Sequence, residues 1–322
     1  MSHVIPIIDL APALNGGAQA RREVAAEIDR TCREIGFFTI RGHGVDPALI
    51  DELRSRSYEF FNQPVEQKQR MAPADRQTPR GYRALGFEAL SAGNDQTTPP
   101  DLKEYYHFGR ERWPDEPYYT STEGQRYFIP NLWPDAPAGW SAVAERYYAE
   151  MERLTGEMMA LCALALGLDE TFFATRIDRH ITAMRVNHYP AQPSSPASGQ
   201  LRAGAHTDYG MLTILNGENK PGGLQVLTRS GAWVDVETAP DTFVVNIGDL
   251  LMRWTNDRWV SNTHRVVNPP AGSPQEARLS VAFFHHPNYD ALIECVVPEG
   301  EAKYPPVLSG AYRDMKYRQT RV

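Results

Sequence analysis

Cysteine is scarce in this sequence: Cys32, Cys162 and Cys295 are the three present in 322 residues, widely spaced and odd in number. That excludes a disulfide framework as the basis of the fold and points to a reducing compartment. Cys162 falls in an apolar helical run, where a thiol packs as a small hydrophobe. Basic residues are not in excess either, with 33 Lys and Arg against 40 Asp and Glu. No basic patch or arm stands out, so no nucleic-acid partner is expected. Long hydrophobic runs are missing too; none approaches the roughly 18 to 20 residues that span a bilayer. The opening "MSHVIPIIDLAPAL" has no basic segment leading into an apolar signal core. The expectation is a soluble, cytoplasmic protein with no membrane partner.

What is present suits a globular enzyme-sized chain: 42% apolar residues, 23% charged, and length for one large domain or two ordinary ones. "VIPIIDL" reads as a short strand. "ARREVAAEIDRTCREIG" sets Val24, Ala25, Ile28, Cys32 and Ile35 at helical spacing, with Gly36 as the stop. "FFTIRGHGV" follows as strand and turn. Asp46 then caps a second helix that stacks Leu49, Leu53, Tyr58 and Phe61. Residues 72–140 are rich in proline, glycine and aromatics with little periodicity, which predicts a wall or lid over a functional site. "WSAVAERYYAEMERLTGEMMALCALALGL" is the longest helical pattern, a buried spine.

From about residue 180 the texture changes to short strands separated by Gly, Pro and Asn turns: "HITAMRVNHYP", "MLTIL", "GLQVLT", "WVDVE", "TFVVNIG", "HRVVNP" and "RLSVAFFHHP". Even spacing of this kind predicts an all-β sandwich or barrel. "SGAYRDMKYRQT" closes the chain as a short helix. The organisation expected is a helical and loop region over residues 1–140, then spine helix, β-core and C-terminal helix over 141–322, working as one functional unit.

"AHTDYGMLTIL", residues 205–215, reads as one strand with His206 and Asp208 two apart and so on one face. A lone His-x-Asp pair is ordinarily a hydrogen-bonded turn. A third ligand is on offer in "VSNTHRVVNPP", where His264 follows Asp208 after 55 intervening residues. Two histidines and a carboxylate on adjacent strands make a facial triad that suits non-haem Fe(II), though zinc hydrolases use the same set. Fourteen residues further, Arg278 and Ser280 share a face in "ARLSVAFFHHP". A guanidinium fork plus a hydroxyl suits a carboxylate, and a structural salt bridge is the plainer alternative. Arg185, Asn187 and Tyr189 share a face in "MRVNHYP", where Asn187 and Tyr189 can add neutral hydrogen bonds to the same acid.

Taken together, His206-x-Asp208, His264 and Arg278-x-Ser280 resemble the iron- and 2-oxoglutarate-dependent oxygenases, within the isopenicillin N synthase-like family. "IPIIDL" with "GFFTIRGHGV", "RGYRALGFEAL" with "PDLKEYYHFG", and "GGLQV" with "NIGDLLMRWTNDRWVSNTHRV" carry the likeness along nearly the whole chain. The resemblance implies mixed α and β structure: a double-stranded β-helix (jelly roll) core, flanking N-terminal helices and a short C-terminal helix. It also implies Fe(II) on His206, Asp208 and His264. The distal carboxylate of 2-oxoglutarate would lie on Arg278 and Ser280, with Asn187 and Tyr189 near the keto-acid end. The implied activity is a dioxygenase of secondary metabolism that consumes O2 and 2-oxoglutarate, releases succinate and CO2, and hydroxylates, desaturates or cyclises a small molecule, with ascorbate helpful in assays. Two alternatives stay open: an Fe(II) oxidase of the isopenicillin N synthase type that needs no 2-oxoglutarate, and a non-catalytic small-acid-binding protein of the same fold. Val266 and Phe284 are candidate pocket walls by continued alternation, and Tyr82, Tyr106 and His107 are candidates from the loop-rich region. As metal ligands, His107, His285 and His286 are set aside, an isolated histidine being more often structural or exposed. Aromatic content over residues 82–133 suggests a medium-sized, partly apolar or aromatic substrate.

Overall fold

The apolar spacing of the first amphipathic segment forms the helix Ala18–Glu34, which buries Val24, Ala25, Ile28, Thr31 and Cys32. The second helix, Pro47–Phe61, begins where the Asp46 carboxylate accepts from the Ala48 N–H at 2.9 Å. It buries Leu49, Ile50, Leu53, Phe60 and Phe61. The spine helix, Trp140–Ala165, buries side chains around nearly its whole circumference in its C-terminal half, as its almost continuous apolar sequence requires. These placements come from a computed structural model that describes residues 5–76, 78–91, 99–191, 196–296 and 301–320, without the Thr320 side chain. Among the described residues no helix is long and apolar enough to cross a membrane, and Cys32 and Cys162 are buried free thiols.

Among the described residues, twelve strands build the two sheets that frame the interior. In chain order they are β1 (Ile7–Asp9), β2 (Phe37–Arg41), β3 (Gly81–Arg83), β4 (Glu104–Gly109), β5 (Ala183–Tyr189), β6 (Ala203–His206), β7 (Leu212–Gly217), β8 (Leu224–Leu227), β9 (Trp233–Asp235), β10 (Phe243–Ile247), β11 (His264–Val266) and β12 (Arg278–His285). The major sheet runs β1-β2-β10-β7-β12-β5-β4-β3 and the minor sheet β6-β11-β8-β9. All their pairings are antiparallel except β1 with β2. This is the jelly-roll arrangement, with a mixed α and β periphery.

Period-two alternation sorts the major sheet into two chemically different faces. Met184, Val186, Ile214, Val245, Leu279, Val281 and Phe283 join the large apolar core shared with the helices. Their neighbours Arg185, Asn187, Thr213, Asn246, Arg278 and Ser280 point the other way and line a cavity facing the minor sheet. Both sets are buried, which is why β5 and β12 read as nearly continuous buried runs.

One expectation needs correction here. Residues 205–215 are two strands, because the chain leaves the minor sheet after His206 and enters the major sheet at Leu212. The regions on either side of residue 140 share one sheet, in which β1 to β4 join β5, β7, β10 and β12. The loop-rich stretch contributes β3 and β4 at the edge of that sheet; residues 92–98, inside the expected wall or lid, lie outside the described residues.

Aromatic contacts tie the helices to the sheet edge. Phe60 stacks on Trp140 with ring centroids 4.9 Å apart and meets Tyr106 edge-on at 5.0 Å. Tyr82 lies 5.9 Å from the same ring. Where the first helix ends, Gly36 takes φ +66°, and a Cβ there would fall 1.9 Å from the Val260 carbonyl oxygen. A side chain at this turn meets both left-handed strain and backbone that cannot yield. Gly36→Ala is therefore expected to cost about 2 kcal/mol or more of folding stability, read as a lowered midpoint in denaturant unfolding.

Candidate active site

His206 ends β6 and His264 begins β11, and the two are direct partners across the antiparallel pair. Their rings lie 4.4 Å apart, centroid to centroid. Each Nδ1 donates to a backbone carbonyl two residues earlier, His206 to Gly204 at 2.8 Å and His264 to Asn262 at 3.1 Å. A carbonyl can only accept, so these bonds set the tautomer and leave both Nε2 lone pairs available. Phe37 on β2 packs edge-on against the His264 ring at 5.2 Å.

Asp208 reaches the histidines from the crossover between the sheets, not from a shared strand face. The crossover is tied down by its backbone: the Asp249 N–H donates to the Asp208 carbonyl at 2.8 Å and Leu250 N–H to Gly210 at 3.0 Å. The Asp249 carboxylate also accepts from Thr207, Ser261 and Lys316. The Asp208 carboxylate is oriented by Thr213 on β7 at 2.6 Å and Asn246 on β10 at 2.8 Å, both donating to Oδ2. It stands 3.9 Å from the Nε2 of each histidine. Ligand-capable atoms of His206, Asp208 and His264 all fall within 4.8 Å of one another, the one such group of three or more among the described residues.

The electrostatics match an anion at Asp208 beside a neutral His206 imidazole. Burial pushes the His206 ring down to about 3; His264 adds to the shift and Asp208 opposes it. Burial works against the Asp208 charge, yet the two histidines and the Thr213 and Asn246 hydrogen bonds hold its carboxyl below the ordinary value.

The triad opens into a cavity of about 1070 Å³, mouth included. On its wall Arg278 pairs with Tyr189, and Ser280 with Asn187, as neighbouring rungs of β12 and β5. Asn187 Nδ2 lies 3.4 Å from Ser280 Oγ. Arg278 is 1% exposed. Its Nε donates to the Glu218 carbonyl at 3.1 Å, its guanidinium lies over the Tyr189 ring at 5.5 Å, and burial lowers its pKa. No carboxylate lies within 4.0 Å of it among the described residues. Gly217 on β7 makes room for it, since a Cβ there would come within 2.8 Å of an Arg278 terminal nitrogen. The cation is thus built in with space beside it and no paired counter-charge.

Val266 and Phe284 line the cavity, as does Ala282. Tyr82 and Tyr106 do not: they sit in the aromatic core on the opposite face of β3 and β4, with the Tyr82 hydroxyl on Glu104 and that of Tyr106 on the Leu132 carbonyl. His107 shares the cavity-side face of β4 with Tyr105 but lies outside the lining. The error in the tyrosines is one of parity, because a shift of one residue along a strand exchanges its faces. His286, set aside as a metal ligand, forms part of the cavity wall, where burial pushes it down to about 3.

Several lining or supporting residues had no sequence assignment: Thr213, Asn246, Glu88, Lys103 and Tyr317. Asn246 was detectable as a lone amide inside the apolar run "TFVVNIG". Lys103 was detectable by its spacing of two from Tyr105. Glu88 and Tyr317 carry no periodic signal.

Two family models match the chain: the N-terminal region of non-haem dioxygenases in morphine synthesis over residues 5–136, and the 2OG-Fe(II) oxygenase superfamily over residues 181–287. A 2-oxoglutarate-Fe(II) type oxidoreductase of Emericella nidulans is 35% identical over 322 residues, covering 96% of this chain and 89% of that protein. Among solved structures, a full-length Neurospora crassa protein in complex with alpha-KG and thymine superposes with TM-score 0.84 at 32% identity, covering 98% of this chain and 96% of that one. JOX2 in complex with 2OG, Fe and JA superposes with TM-score 0.78 at 29% identity, covering 98% and 85%. The chain belongs to the 2-oxoglutarate- and Fe(II)-dependent oxygenase superfamily, in its isopenicillin N synthase-like branch, and is a dioxygenase of small molecules that uses Fe(II) and 2-oxoglutarate.

Proposed function

We propose that His206, Asp208 and His264 hold the Fe(II), that Arg278 and Ser280 take the distal carboxylate of 2-oxoglutarate, and that Asn187 and Tyr189 flank its keto-acid end. The observation that carries this is the pairing of a three-ligand group with an uncompensated buried arginine on one cavity wall. The donor set fits the metal: two imidazole nitrogens with their other ring nitrogens engaged, and one carboxylate whose Oδ2 is held by neighbours. A protein contribution of three ligands leaves positions open for reactants.

When bound, Fe(II) with 2-oxoglutarate supplies the oxidising power, consuming O2 and converting the cosubstrate to succinate and CO2 as substrate is oxidised. The chain's own share is placement. Arg278 supplies a charge-assisted fork for a carboxylate in a site where little water competes. Thr213 and Asn246 keep the Asp208 carboxylate in one orientation. Leu215, Leu224, Val266 and Phe284 give the walls an apolar character that excludes water from the reacting centre. These walls also support a medium-sized, partly apolar or aromatic substrate; the relative from Neurospora crassa is in complex with a ring compound, thymine.

Replacing any one ligand, as His206→Ala, Asp208→Ala or His264→Ala, is expected to abolish turnover and iron retention with the fold intact. Metal analysis beside circular dichroism checks this, and full iron occupancy in one variant would remove that residue from the ligand set.

Thr213→Val and Asn246→Ala should each weaken iron binding by about 10- to 100-fold, the usual effect of losing a group that orients a ligand. Competition with a chelator of known affinity measures it.

Arg278→Gln should raise the 2-oxoglutarate dissociation constant roughly ten- to a hundredfold, since a hydrogen bond to a charged group contributes about 1.5 to 3 kcal/mol. Calorimetry reads the change directly. Product formed at full rate in 2-oxoglutarate-free buffer would instead indicate that Arg278 grips the substrate's own carboxylate.

A further inference from the structure

A second arginine faces the same cavity. Arg185 sits on β5 opposite Ala282, one same-face step from the Asn187–Ser280 pair and two from the Tyr189–Arg278 pair. At roughly 3.3 Å per residue, the two arginines stand about 13 Å apart along the strands. Arg185 is 8% exposed. Its guanidinium lies over the Tyr105 ring at 4.1 Å and within 5.6 Å of the Phe284 ring. Only one of its N–H groups is used among the described residues, donated from its Nη1 to Glu88 at 3.0 Å. Its Nε is buried without a hydrogen-bond partner. Ala282 opposite it is small, so the wall leaves space beside the guanidinium.

Charge around Arg185 is balanced. Glu88 also pairs with Lys103 at 3.3 Å, and Lys103 with Asp101 at 3.1 Å. The Tyr105 hydroxyl donates to Glu88 at 2.7 Å. Two cations and two carboxylates cancel, so this end of the cavity is not simply an anion trap. It is a pole of oriented N–H donors with too few acceptors, flanked by Phe284 and Leu90. A buried guanidinium in this condition gains strongly from an added acceptor.

We infer that Arg185, braced by Glu88 and Tyr105, is the substrate-recognition donor, and that the partly apolar or aromatic substrate presents it with an oxygen acceptor, either a carboxylate or a conjugated carbonyl. This rests on the assignment of Arg278 to 2-oxoglutarate, which leaves Arg185 for the substrate. The cavity then holds two donor poles, one for each organic reactant. Lys103 and Glu88 act as positioning residues that keep the Arg185 fork in place.

Anaerobic calorimetry on the protein saturated with Fe(II) and 2-oxoglutarate tests the inference with three probes: benzoate, 2-pyridone and benzylamine. Benzoate, 2-pyridone or both should bind at least about tenfold more tightly than benzylamine, which carries no acceptor; which of them does so distinguishes an acid from a neutral carbonyl compound. Arg185→Met should remove that preference, about tenfold or more, and leave 2-oxoglutarate binding within about twofold of wild type. Should Arg185→Met fail to fold, Arg185→Lys keeps a charge for Glu88, loses the fork and should show the same loss of preference. Three results would overturn the inference: no preference over benzylamine in the wild type, a preference that survives both substitutions, or equal weakening of 2-oxoglutarate and probe. Failure of the cosubstrate assignment is seen separately, as wild-type protein that binds no 2-oxoglutarate or as an Arg278→Gln variant that binds it normally.

Discussion

The major sheet is buried on both faces, and only one of those faces is apolar. Taking a polar group out of water costs about 1 to 3 kcal/mol when it finds no partner, and an unpaired charge costs more. The cavity face of β5, β7, β10 and β12 must therefore satisfy its polar groups within the fold or leave them for a ligand. Asn187 meets Ser280, its direct partner on β12, while Thr213 and Asn246 donate to Asp208. Among the described residues, the two imidazole Nε2 atoms and the Arg278 and Arg185 guanidinium forks keep hydrogen-bonding capacity unused, and so does His286 Nδ1 in the same wall. At the site the internal hydrogen bonding is incomplete.

The metal-ligand geometry is assembled from both sheets, which makes it dependent on how they are joined. His206 and His264 are fixed by β6–β11 pairing within the minor sheet. Asp208 is delivered by the chain as it crosses toward β7, and its carboxylate is oriented by two strands of the major sheet. Asp249, at the start of the helix Asp249–Trp254, bonds the crossover backbone, Thr207, Ser261 and Lys316 of the C-terminal helix Ser309–Thr320. Loosening that hub would move the carboxylate relative to the histidines without changing any ligand.

Along β5 and β12 the cavity has a direction. Arg278 and Tyr189 occupy one end, Asn187 and Ser280 the next rung, then Arg185 with Ala282, and Phe284 beyond. The fold thus provides a linear series of positions for two organic reactants, with apolar side chains of the minor sheet opposite. Zinc chemistry with the same ligand types is set aside by family membership, since the relatives that match along the whole chain are 2-oxoglutarate-Fe(II) oxidoreductases.

Much of this was legible from local pattern. Helical spacing placed the helices at Ala18–Glu34, Pro47–Phe61 and Trp140–Ala165 to within a few residues, because an amphipathic helix records its buried face in its own sequence. Alternation put Arg278 with Ser280 and Asn187 with Tyr189 on common faces; the strands β5, β8, β9, β10, β11 and β12 fall within the segments read as strands, and β7 runs two residues past its segment. Their meeting across neighbouring rungs needed the pairing of β5 with β12, which no single segment encodes. Nor could sequence show that 205–215 breaks between two sheets, since the break is set by which partners each half finds. Tyr82 and Tyr106 failed for a related reason: in short strands, composition does not reveal parity, and pairing to β5 turned Tyr105 and Lys103, not Tyr106, toward the cavity. Glu88 and Lys103 became visible beside Arg185 only once tertiary packing brought a loop, β4 and β5 together. Residue types and local periodicity were written in the chain; which faces look at each other was decided by strand pairing, because hydrogen-bond register is a relation between distant segments.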